Sequence, residues 1–323
     1  MGSQGEKRGT SRPVSRRKLA LIATGLVAVF SLLLSGLHAM FPALPGWDEF
    51  FVAAGLRESA PSAMESGRHA GFLFVDVGQG DCMVALGERV TVMIDAGPTD
   101  AVHRVRKALS DYGVERLNAL ILTHPHEDHI GGAAALLEQY PVDAVYLSAG
   151  SPDGETDREC FDALLDTARS KGIEPVRLSD SIELFMEELT LSVYASPLQT
   201  GDENDTGLVV RAALPQLSAL ITGDAGTDAE FAFMQRGDRL DSDILKIGHH
   251  GSKTSTSPAF LRRVNPKAAV ISVGRNSYGH PSPTVTSRLS EAGIAYYRTD
   301  INGVLFFDSM ESLLPSAAIS SAA

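Results

Sequence analysis

The sequence predicts a sheet-rich α/β sandwich rather than a doubly wound parallel sheet. Apolar segments of strand length come in runs, with helices interspersed among them. Several of these segments end in Asp and Gly, which favour tight turns. There is no internal repeat at a fixed spacing. A chain of 323 residues that is 44% hydrophobic and 21% charged can form one or two globular domains with ample core.

The N-terminal part differs in composition from the rest of the chain. Residues 1–18 are basic, and residues 19–41 form an apolar run without Asp, Glu, Lys or Arg. Such a run is long enough to cross a bilayer as a helix, and its basic flank would stay in the cytoplasm. We therefore expect a single-pass anchor in the cell membrane with the folded domain outside the cytoplasm. A cleaved signal peptide, which would release a secreted protein, is the alternative.

The boundaries of the folded domain follow from composition. Residues 42–70 are rich in Pro, Gly, Ser and Ala and are expected to be a linker, so the domain should span residues 71–308. Residues 309–323 are rich in Ser and Ala, which predicts a disordered tail. Strands are predicted where short apolar runs meet turn residues. They cover residues 72–75, 82–86, 91–94, 117–122, 142–147, 181–194 (as two strands), 208–214, 217–222, 243–248, 268–273, 295–297 and 303–307.

Helices are predicted between some of these strands. Residues 100–112 have apolar side chains at helical spacing with basic residues between them, which is typical of an amphipathic helix. Residues 157–171 have the same character, and Gly172 would end that helix. Two further helices are expected at residues 130–140 and 282–292.

One loop between a predicted strand and a predicted helix carries four side chains that can bind metal ions. His124 and His126 are two positions apart, so they project to the same side of an extended segment and can hold one ion. Asp128 and His129 lie beyond the bend and can face a second ion. The alternative is a histidine-rich surface turn, but three His and one Asp within six positions after a strand argue against it.

The remaining histidine pattern extends this site. Six of the nine histidines lie in three short stretches, and each stretch follows a predicted strand. Strand ends at one edge of a sheet converge, so residues distant in sequence can share a site there. Asp224, also at a strand end, could bridge two ions with its two oxygens. The six histidines are His124, His126, His129, His249, His250 and His280.

Charge and cysteine content exclude other functions. A formal net charge of -12 argues against broad, sequence-independent nucleic-acid binding, which depends on Lys and Arg. A local cationic groove at a site is still compatible with that charge. Two cysteines, Cys82 and Cys160, can form neither a disulfide framework nor a Cys-type zinc site.

Taken together, these motifs resemble the metallo-β-lactamase superfamily, and in particular the hydrolase domain of ComEC/Rec2-type DNA-uptake proteins and its stand-alone relatives. The resemblance spans residues 71–308 and is specific as a set, although a single glycine turn would not be. The segments that carry it are Asp76-Val-Gly-Gln-Gly-Asp81, Ile94-Asp95-Ala-Gly97, Thr123-His-Pro-His-Glu-Asp-His-Ile-Gly-Gly132, Thr222-Gly-Asp224 and Leu245-Lys-Ile-Gly-His-His-Gly-Ser252.

The resemblance implies an αββα sandwich with two divalent ions at one sheet edge. The ions would be Zn²⁺, with Mn²⁺ as the alternative because oxygen ligands are numerous. Of the neighbouring pair, His250 is expected to be a ligand and His249 to face the substrate or pack. The implied ligands are His124 and His126 for the first ion, Asp128, His129 and His250 for the second, and Asp224 as the bridge.

The sequence departs from the wider superfamily at one ligand. That superfamily supplies a third His to the first ion from a turn before the bridging Asp, whereas this chain has no His between residues 130 and 248. The equivalent segment is residues 202–206, where Asn204 is the candidate contact. Two His, Asp224 and water would still form an open catalytic site, with lower affinity for that ion.

Other residues are candidates for supporting roles. Asp76, Asp81 and Asp95 could accept hydrogen bonds from the outer N–H groups of the histidines, or could simply make turns. Ser252 and Lys253 lie in a Gly-Ser-Lys-Thr-Ser loop that suits a phosphate, the alternative being a solvated loop. Asp128 or Asp224 could orient the attacking water. His280 could contact the substrate, act as a general acid, or be a structural residue in a turn.

The function expected from this set is that of an exported, metal-dependent hydrolase. The resemblance suggests a phosphodiesterase or nuclease-type enzyme that uses a metal-activated water on single-stranded DNA or on a cell-surface polymer. A β-lactamase or another amide or ester hydrolase is the first alternative. A surface binding module that keeps the fold without catalysis is the second.

Overall fold

The computed structural model describes residues 69–198 and 203–314. The expected basic segment, the membrane-spanning run, most of the linker and the end of the tail lie outside these residues. Within residues 69–198 and 203–314, no helix is long and apolar enough to cross a membrane.

Two seven-stranded sheets form the centre of the domain. In the first sheet, β14, β1, β2 and β3 pair antiparallel, and β3 to β6 pair parallel. This mixed pairing agrees with the predicted runs of strands. The strands, in spatial order, are β14 (Leu305–Phe307), β1 (Gly71–Phe74), β2 (Met83–Leu86), β3 (Thr91–Ile94), β4 (Ala119–Leu122), β5 (Val145–Ser148) and β6 (Val176–Leu178).

The second sheet repeats this arrangement. Strands β7 to β10 pair antiparallel, and β10 to β13 pair parallel. The order is β13 (Ala295–Arg298), β12 (Ala268–Ile271), β11 (Ile244–Lys246), β10 (Ser218–Ile221), β9 (Leu208–Ala213), β8 (Leu189–Ala195) and β7 (Ile182–Met186).

Helices lie between the strands in the chain. They are α1 (Val102–Asp111), α2 (Glu127–Ile130), α3 (Ala133–Gln139), α4 (Glu155–Ser170), α5 (Thr227–Arg236), α6 (Pro258–Val264), α7 (Pro283–Glu291) and α8 (Thr299–Asn302). Short 3-10 helices occur at Thr99–Ala101, Glu203–Thr206, Gly248–Gly251 and Glu311–Leu313.

Three separate apolar cores show that the domain has four layers. Along β1, Phe72 and Phe74 belong to the core between the two sheets, whereas Leu73 belongs to the core beneath α1, α3 and α4. This alternation is the period-two pattern of a strand with both faces buried. A third core joins the outer face of the second sheet to α5, α6 and α7. The expected two-sheet α/β sandwich is confirmed.

The structure differs from the sequence-based expectation in several places. Helices α5 and α6 were not predicted, although Ser257 caps the start of α6 and Pro258 occupies its first turn. Strand β6 was missed as well. The tail was expected to be disordered from residue 309, but the ordered domain extends further. Leu313 is fully buried, and its carbonyl accepts a hydrogen bond from Tyr297.

The ends of four parallel strands meet at one edge of the sandwich. β3 pairs parallel with β4 in the first sheet, and β10 pairs parallel with β11 in the second. The amide of Leu208 in the second sheet donates to the carbonyl of Thr123 after β4, over 2.8 Å. The segments that follow these four strands are therefore held together, and they contain most of the predicted site.

Candidate metal centre

Asp95 organises the loop that follows β4. It is fully buried, and its φ of 57° places it in the left-handed region directly after β3. Its carboxylate accepts hydrogen bonds from the amide and the hydroxyl of Thr123, both over 2.8 Å, and from Nδ1 of His129 over 2.8 Å. Asp95 therefore fixes both ends of the histidine loop, which agrees with the supporting role expected for it.

These hydrogen bonds also determine which imidazole nitrogens carry no proton and can bind a metal ion. The Thr123 hydroxyl gives its proton to Asp95, so it accepts from Nδ1 of His124, 3.1 Å away. Nε2 of His124 is then left without a proton. His129 donates its own Nδ1 proton to Asp95, so Nε2 carries the lone pair whenever the ring is neutral, as it must be in a metal ligand. Such anchoring of the outer nitrogen is the usual arrangement of metal-binding histidines.

His126 is anchored by a residue that the sequence analysis did not select. Its Nε2 lies 3.0 Å from Oε2 of Glu203, a residue that is only 8% exposed. Its Nδ1 faces Nε2 of His124 at 3.0 Å. Glu203 lies in the 202–206 segment that stands in place of the superfamily's third His. Its place in this segment could have identified Glu203 from the sequence, but the resemblance pointed to Asn204, which lies in the same 3-10 helix.

The second sheet supplies the other half of the cluster. Nδ1 of His250 donates to the carbonyl of Ser272 over 2.9 Å, so its Nε2 is turned inward. That nitrogen lies 3.1 Å from Oδ2 of Asp128 and 3.4 Å from Oδ2 of Asp224. His249 is partly exposed, and its Nε2 is 3.7 Å from Asp224. The geometry therefore favours His250 over His249 as the residue inside the cluster.

The backbone at these two histidines is strained. His249 and His250 have φ values of 49° and 50°, and consecutive left-handed residues other than Gly are uncommon. Each residue costs about 1–3 kcal/mol in such a conformation, so the surrounding structure must hold it. The amide of His249 donates to the carbonyl of Gly223, and the amide of Ser252 donates to the carbonyl of His249. Strain of this kind is concentrated at functional sites.

Buried atoms without hydrogen-bond partners show that the residues fit divalent ions. Nε2 of His129 and Oδ1 of Asp224 are buried 3.3 Å apart, and neither has a hydrogen-bond partner within the described part of the chain. An ion between such atoms would satisfy both. Four groups of three residues bring ligand atoms within 4.8 Å of one another: His124, His129 and Asp224; Asp128, His129 and His250; Asp81, Asp224 and His250; and Asp81, Asp95 and His129.

Lys246 is a second residue that the sequence analysis did not select. Its Nζ is buried, contacts Oδ2 of Asp81, and donates to the carbonyl of Gly223 over 3.0 Å. It also lies 3.8 Å from Oδ1 of Asp224. A lysine inside the otherwise apolar strand β11 is the feature of the sequence that could have identified this residue. Its ammonium group balances the carboxylates at the base of the cluster.

The cluster shifts the pKa values of its members in opposite directions. Burial lowers the pKa of His124, and the neighbouring His129 lowers it further. Burial opposes the charge of His250, but Asp224 and Asp128 outweigh it and raise the pKa of His250 to about 10. For Asp224, burial is outweighed by His250 and His129, which hold its pKa well below the usual range. The site is therefore built to hold negative carboxylates beside positive charge.

The remaining predicted residues lie in different surroundings. Asp76 accepts from the amide of Gly78 over 3.1 Å and faces Arg104, so of its two expected roles its contacts support the turn and not a bond to a histidine. Ser252 is buried and its hydroxyl pairs with that of Thr254, at 2.9 Å, while Lys253 is exposed.

His280 lies at the mouth of the cluster, with its ring centroid 5.6 Å from that of His249. Burial lowers its pKa, and His249 adds to this effect. A lowered pKa disfavours the protonated form that a general acid requires. The geometry therefore supports a substrate contact better than proton donation.

Comparisons with known proteins agree with this architecture. The ComE operon protein 3 of Bacillus subtilis is 33% identical over 253 residues, which cover 72% of this chain and 32% of that protein. The competence protein ComA of Neisseria gonorrhoeae is 31% identical, with 72% and 31% covered. The recombination protein 2 of Haemophilus influenzae is 30% identical, with 71% and 27% covered. The chain thus spans about a third of the length of these relatives, all ComEC-type competence proteins.

A solved structure shares the fold. The metallo-beta-lactamase fold protein YhfI of Bacillus subtilis superposes with a TM-score of 0.50 at 12% identity, covering 73% of this chain and 100% of that one. The family model described as the metallo-beta-lactamase superfamily matches residues 75–275. That fold binds divalent metals, typically two, and its members are generally metal-dependent hydrolases. The resemblance noted in the sequence is confirmed: the chain belongs to the metallo-beta-lactamase superfamily.

Proposed function

We propose that this protein is a metal-dependent phosphodiesterase that cleaves a nucleic-acid strand. The observation that carries the proposal is a pair of imidazole nitrogens, Nε2 of His129 and Nε2 of His250, which hydrogen bonds on the outer sides of the rings turn inward onto two carboxylates. A phosphodiester in a cell-surface polymer has the same reacting group and is the alternative substrate. Zn²⁺ is the expected metal, and Mn²⁺ is the alternative.

Each residue of the cluster has a role in this proposal. His124 and His126 would hold one divalent ion, and His129 and His250 would hold another. Asp224 would be shared by both. Ions bound here would act as Lewis acids towards the phosphate and would lower the pKa of water.

Asp128 faces the opening of the cluster. Its side chain is 31% exposed and lies 3.1 Å from Nε2 of His250. Burial alone would raise its pKa, but His129 and His250 hold the pKa below its usual range, so the group is a carboxylate at neutral pH. An anionic acceptor at this position can orient an attacking water by taking one of its hydrogen bonds.

The relatives favour nucleic acid as the substrate class. Their names are those of two competence proteins and a recombination protein. A shorter match, 33% identical over 79 residues, is to Ribonuclease J of a Synechocystis species. This chain spans only about a third of the length of the competence proteins. Their names therefore support single-stranded DNA as a proposed substrate.

We further propose that residues 19–41 anchor the protein in the cell membrane with its domain outside the cytoplasm. The support is the uncharged apolar run that follows a basic segment. Protease added to intact cells should degrade the domain. Protection until the membrane is permeabilised would contradict an external location, and recovery of the domain in the medium would indicate a cleaved signal.

The catalytic proposal is tested by metal analysis and hydrolysis together. Purified full chain should carry about two equivalents of metal and cleave an end-labelled single-stranded oligonucleotide and bis-p-nitrophenyl phosphate. The double variant His126→Ala, Asp128→Ala should lose both properties. His103→Ala is the matched control, because this histidine is exposed on α1 and away from the cluster, and it should behave as wild type.

Three other outcomes would change the assignment. Rapid turnover of nitrocefin without phosphodiester cleavage would favour an amide hydrolase. Cleavage with one equivalent of metal would require a mechanism with a single ion. Absence of both metal and cleavage after reconstitution would favour a binding module.

A further inference from the structure

An exposed aromatic side chain stands on a fixed loop beside the candidate metal centre. The loop runs from Gly274 to His280, and the Asn276 side chain braces it. Its Nδ2 donates to the carbonyls of Gly274 and His280, both over 2.9 Å, and its Oδ1 accepts from the amides of Tyr278 and His280 over 3.1 and 3.0 Å. The loop is thus ordered by one side chain, yet Tyr278 is 76% exposed.

The ring of Tyr278 begins a row of rings that leads to the cluster. Its centroid lies 5.7 Å from that of His280, with 31° between the ring planes. The His280 ring is 5.6 Å from that of His249, whose Nε2 is 3.7 Å from Asp224. Flat side chains therefore connect solvent to the place where a scissile phosphate would be bound.

One polar atom in this row lacks a partner. Nδ1 of His280 is buried and has no hydrogen bond to any residue that the structure describes. A buried nitrogen of this kind is costly unless a ligand pairs with it. The start of the loop is also tied to the Asp76–Asp81 turn, because the Gly274 amide donates to Oε1 of Gln79 over 3.3 Å. The loop is consequently held against the site instead of projecting freely from it.

We propose that Tyr278 and His280 form a stacking platform for an unpaired nucleobase of the strand whose phosphate enters the metal centre. The inference rests on the proposed phosphodiesterase function and names the form of its substrate. Every base has a π face, so such a platform binds single strands with little sequence preference, and each stacked base contributes about 1–3 kcal/mol. A base inside a duplex has both faces covered and would not fit.

The platform is tested by binding without metal, because stacking does not require it. The probe is a fluorescein-labelled oligothymidylate, and its anisotropy is measured with purified full chain in EDTA at low salt. Tyr278→Ala should weaken binding about 5- to 150-fold. Tyr278→Trp should bind at least as tightly as wild type. Phe185→Ala is the control, since Phe185 is a 79% exposed aromatic on the edge strand β7.

A second probe separates stacking from contacts with the backbone. An oligonucleotide of the same length with abasic residues should bind wild type and Tyr278→Ala equally weakly. The platform would be wrong if Tyr278→Ala lost as much affinity for the abasic probe as for oligothymidylate. It would also be wrong if this variant lost no affinity for oligothymidylate. These results are independent of catalysis: if the metal-loaded wild type fails to cleave the strand while base-dependent binding persists, the proposed hydrolysis is wrong and the platform stands.

Discussion

Replacing Lys246 by methionine should lower the free energy of unfolding of the metal-free protein by about 3–5 kcal/mol. Lys246 is 1% exposed, and its Nζ contacts Asp81 and lies 3.8 Å from Oδ1 of Asp224. At that distance and an effective dielectric constant of about 20, one ion pair amounts to about 4 kcal/mol. Methionine fills most of the same space, so the loss would report on charge rather than on a cavity.

The assay is urea unfolding followed by circular dichroism, in EDTA and with Zn²⁺. The deficit of Lys246→Met should be smaller with metal, because divalent ions add positive charge beside the same carboxylates. Lys267→Met, at an exposed position, should change the free energy of unfolding by no more than about 0.5 kcal/mol. In the double variant with Asp81→Asn, part of the loss should be recovered.

One result would refute this reasoning about Lys246. If Lys246→Met in EDTA stays within about 1 kcal/mol of wild type, and its effect simply adds to that of Asp81→Asn, the ammonium group does not balance the buried carboxylates.

Three further predictions follow from individual contacts. Glu203→Ala should weaken binding of one divalent ion about 10- to 100-fold in a chelator competition, and Glu203→Gln, which keeps an acceptor, should lose less. Burial raises the pKa of Glu230 from 4.5 to about 7, so the folded state holds this proton more tightly and stability falls as pH rises between those values. The advantage of Glu230→Gln over wild type in free energy of unfolding should therefore grow by about 2.5 kcal/mol from pH 5 to pH 8. A Cβ on Gly80 would lie 2.4 Å from the carbonyl oxygen of Asp128, whereas Gly113 has open space, so alanine should cost about 3 kcal/mol at Gly80 and about 1 kcal/mol at Gly113 in thermal or urea unfolding.

Each of these predictions has a contrary outcome. Unchanged metal affinity in Glu203→Ala would mean that His126 keeps its orientation without the carboxylate. A pH-independent difference between Glu230→Gln and wild type would show that the carboxyl group titrates normally. Equal costs at Gly80 and Gly113 would show that the turn can move away from the metal loop.

The parts of the site that the sequence predicted are those encoded locally. An apolar strand followed by His124, His126, Asp128 and His129 is readable from neighbours in the chain, because strand and loop geometry set where such side chains point. The mixed sheets were also predictable, since runs of strands without regular helices do not build a doubly wound sheet.

Residues whose roles depend on distant contacts could not be predicted in this way. Glu203 matters because its 3-10 helix is brought against His126, and Lys246 because β11 places it beside Asp81. In the sequence, Glu203 was one of several acidic residues, and Lys246 was a single charged residue in an apolar strand. Helix α6 was missed for a different reason: seven residues show too little periodicity for confident assignment, despite the capping serine.

The position of Asp95 has a consequence for how the two ions would be loaded. One carboxylate orients His124 through the Thr123 hydroxyl and His129 directly, and these histidines are assigned to different ions. Three hydrogen bonds already hold Asp95 in place, so both pockets are prepared before either ion binds. We therefore expect Asp95→Ala to weaken the binding of both ions together in a metal titration, and not the binding of one ion alone.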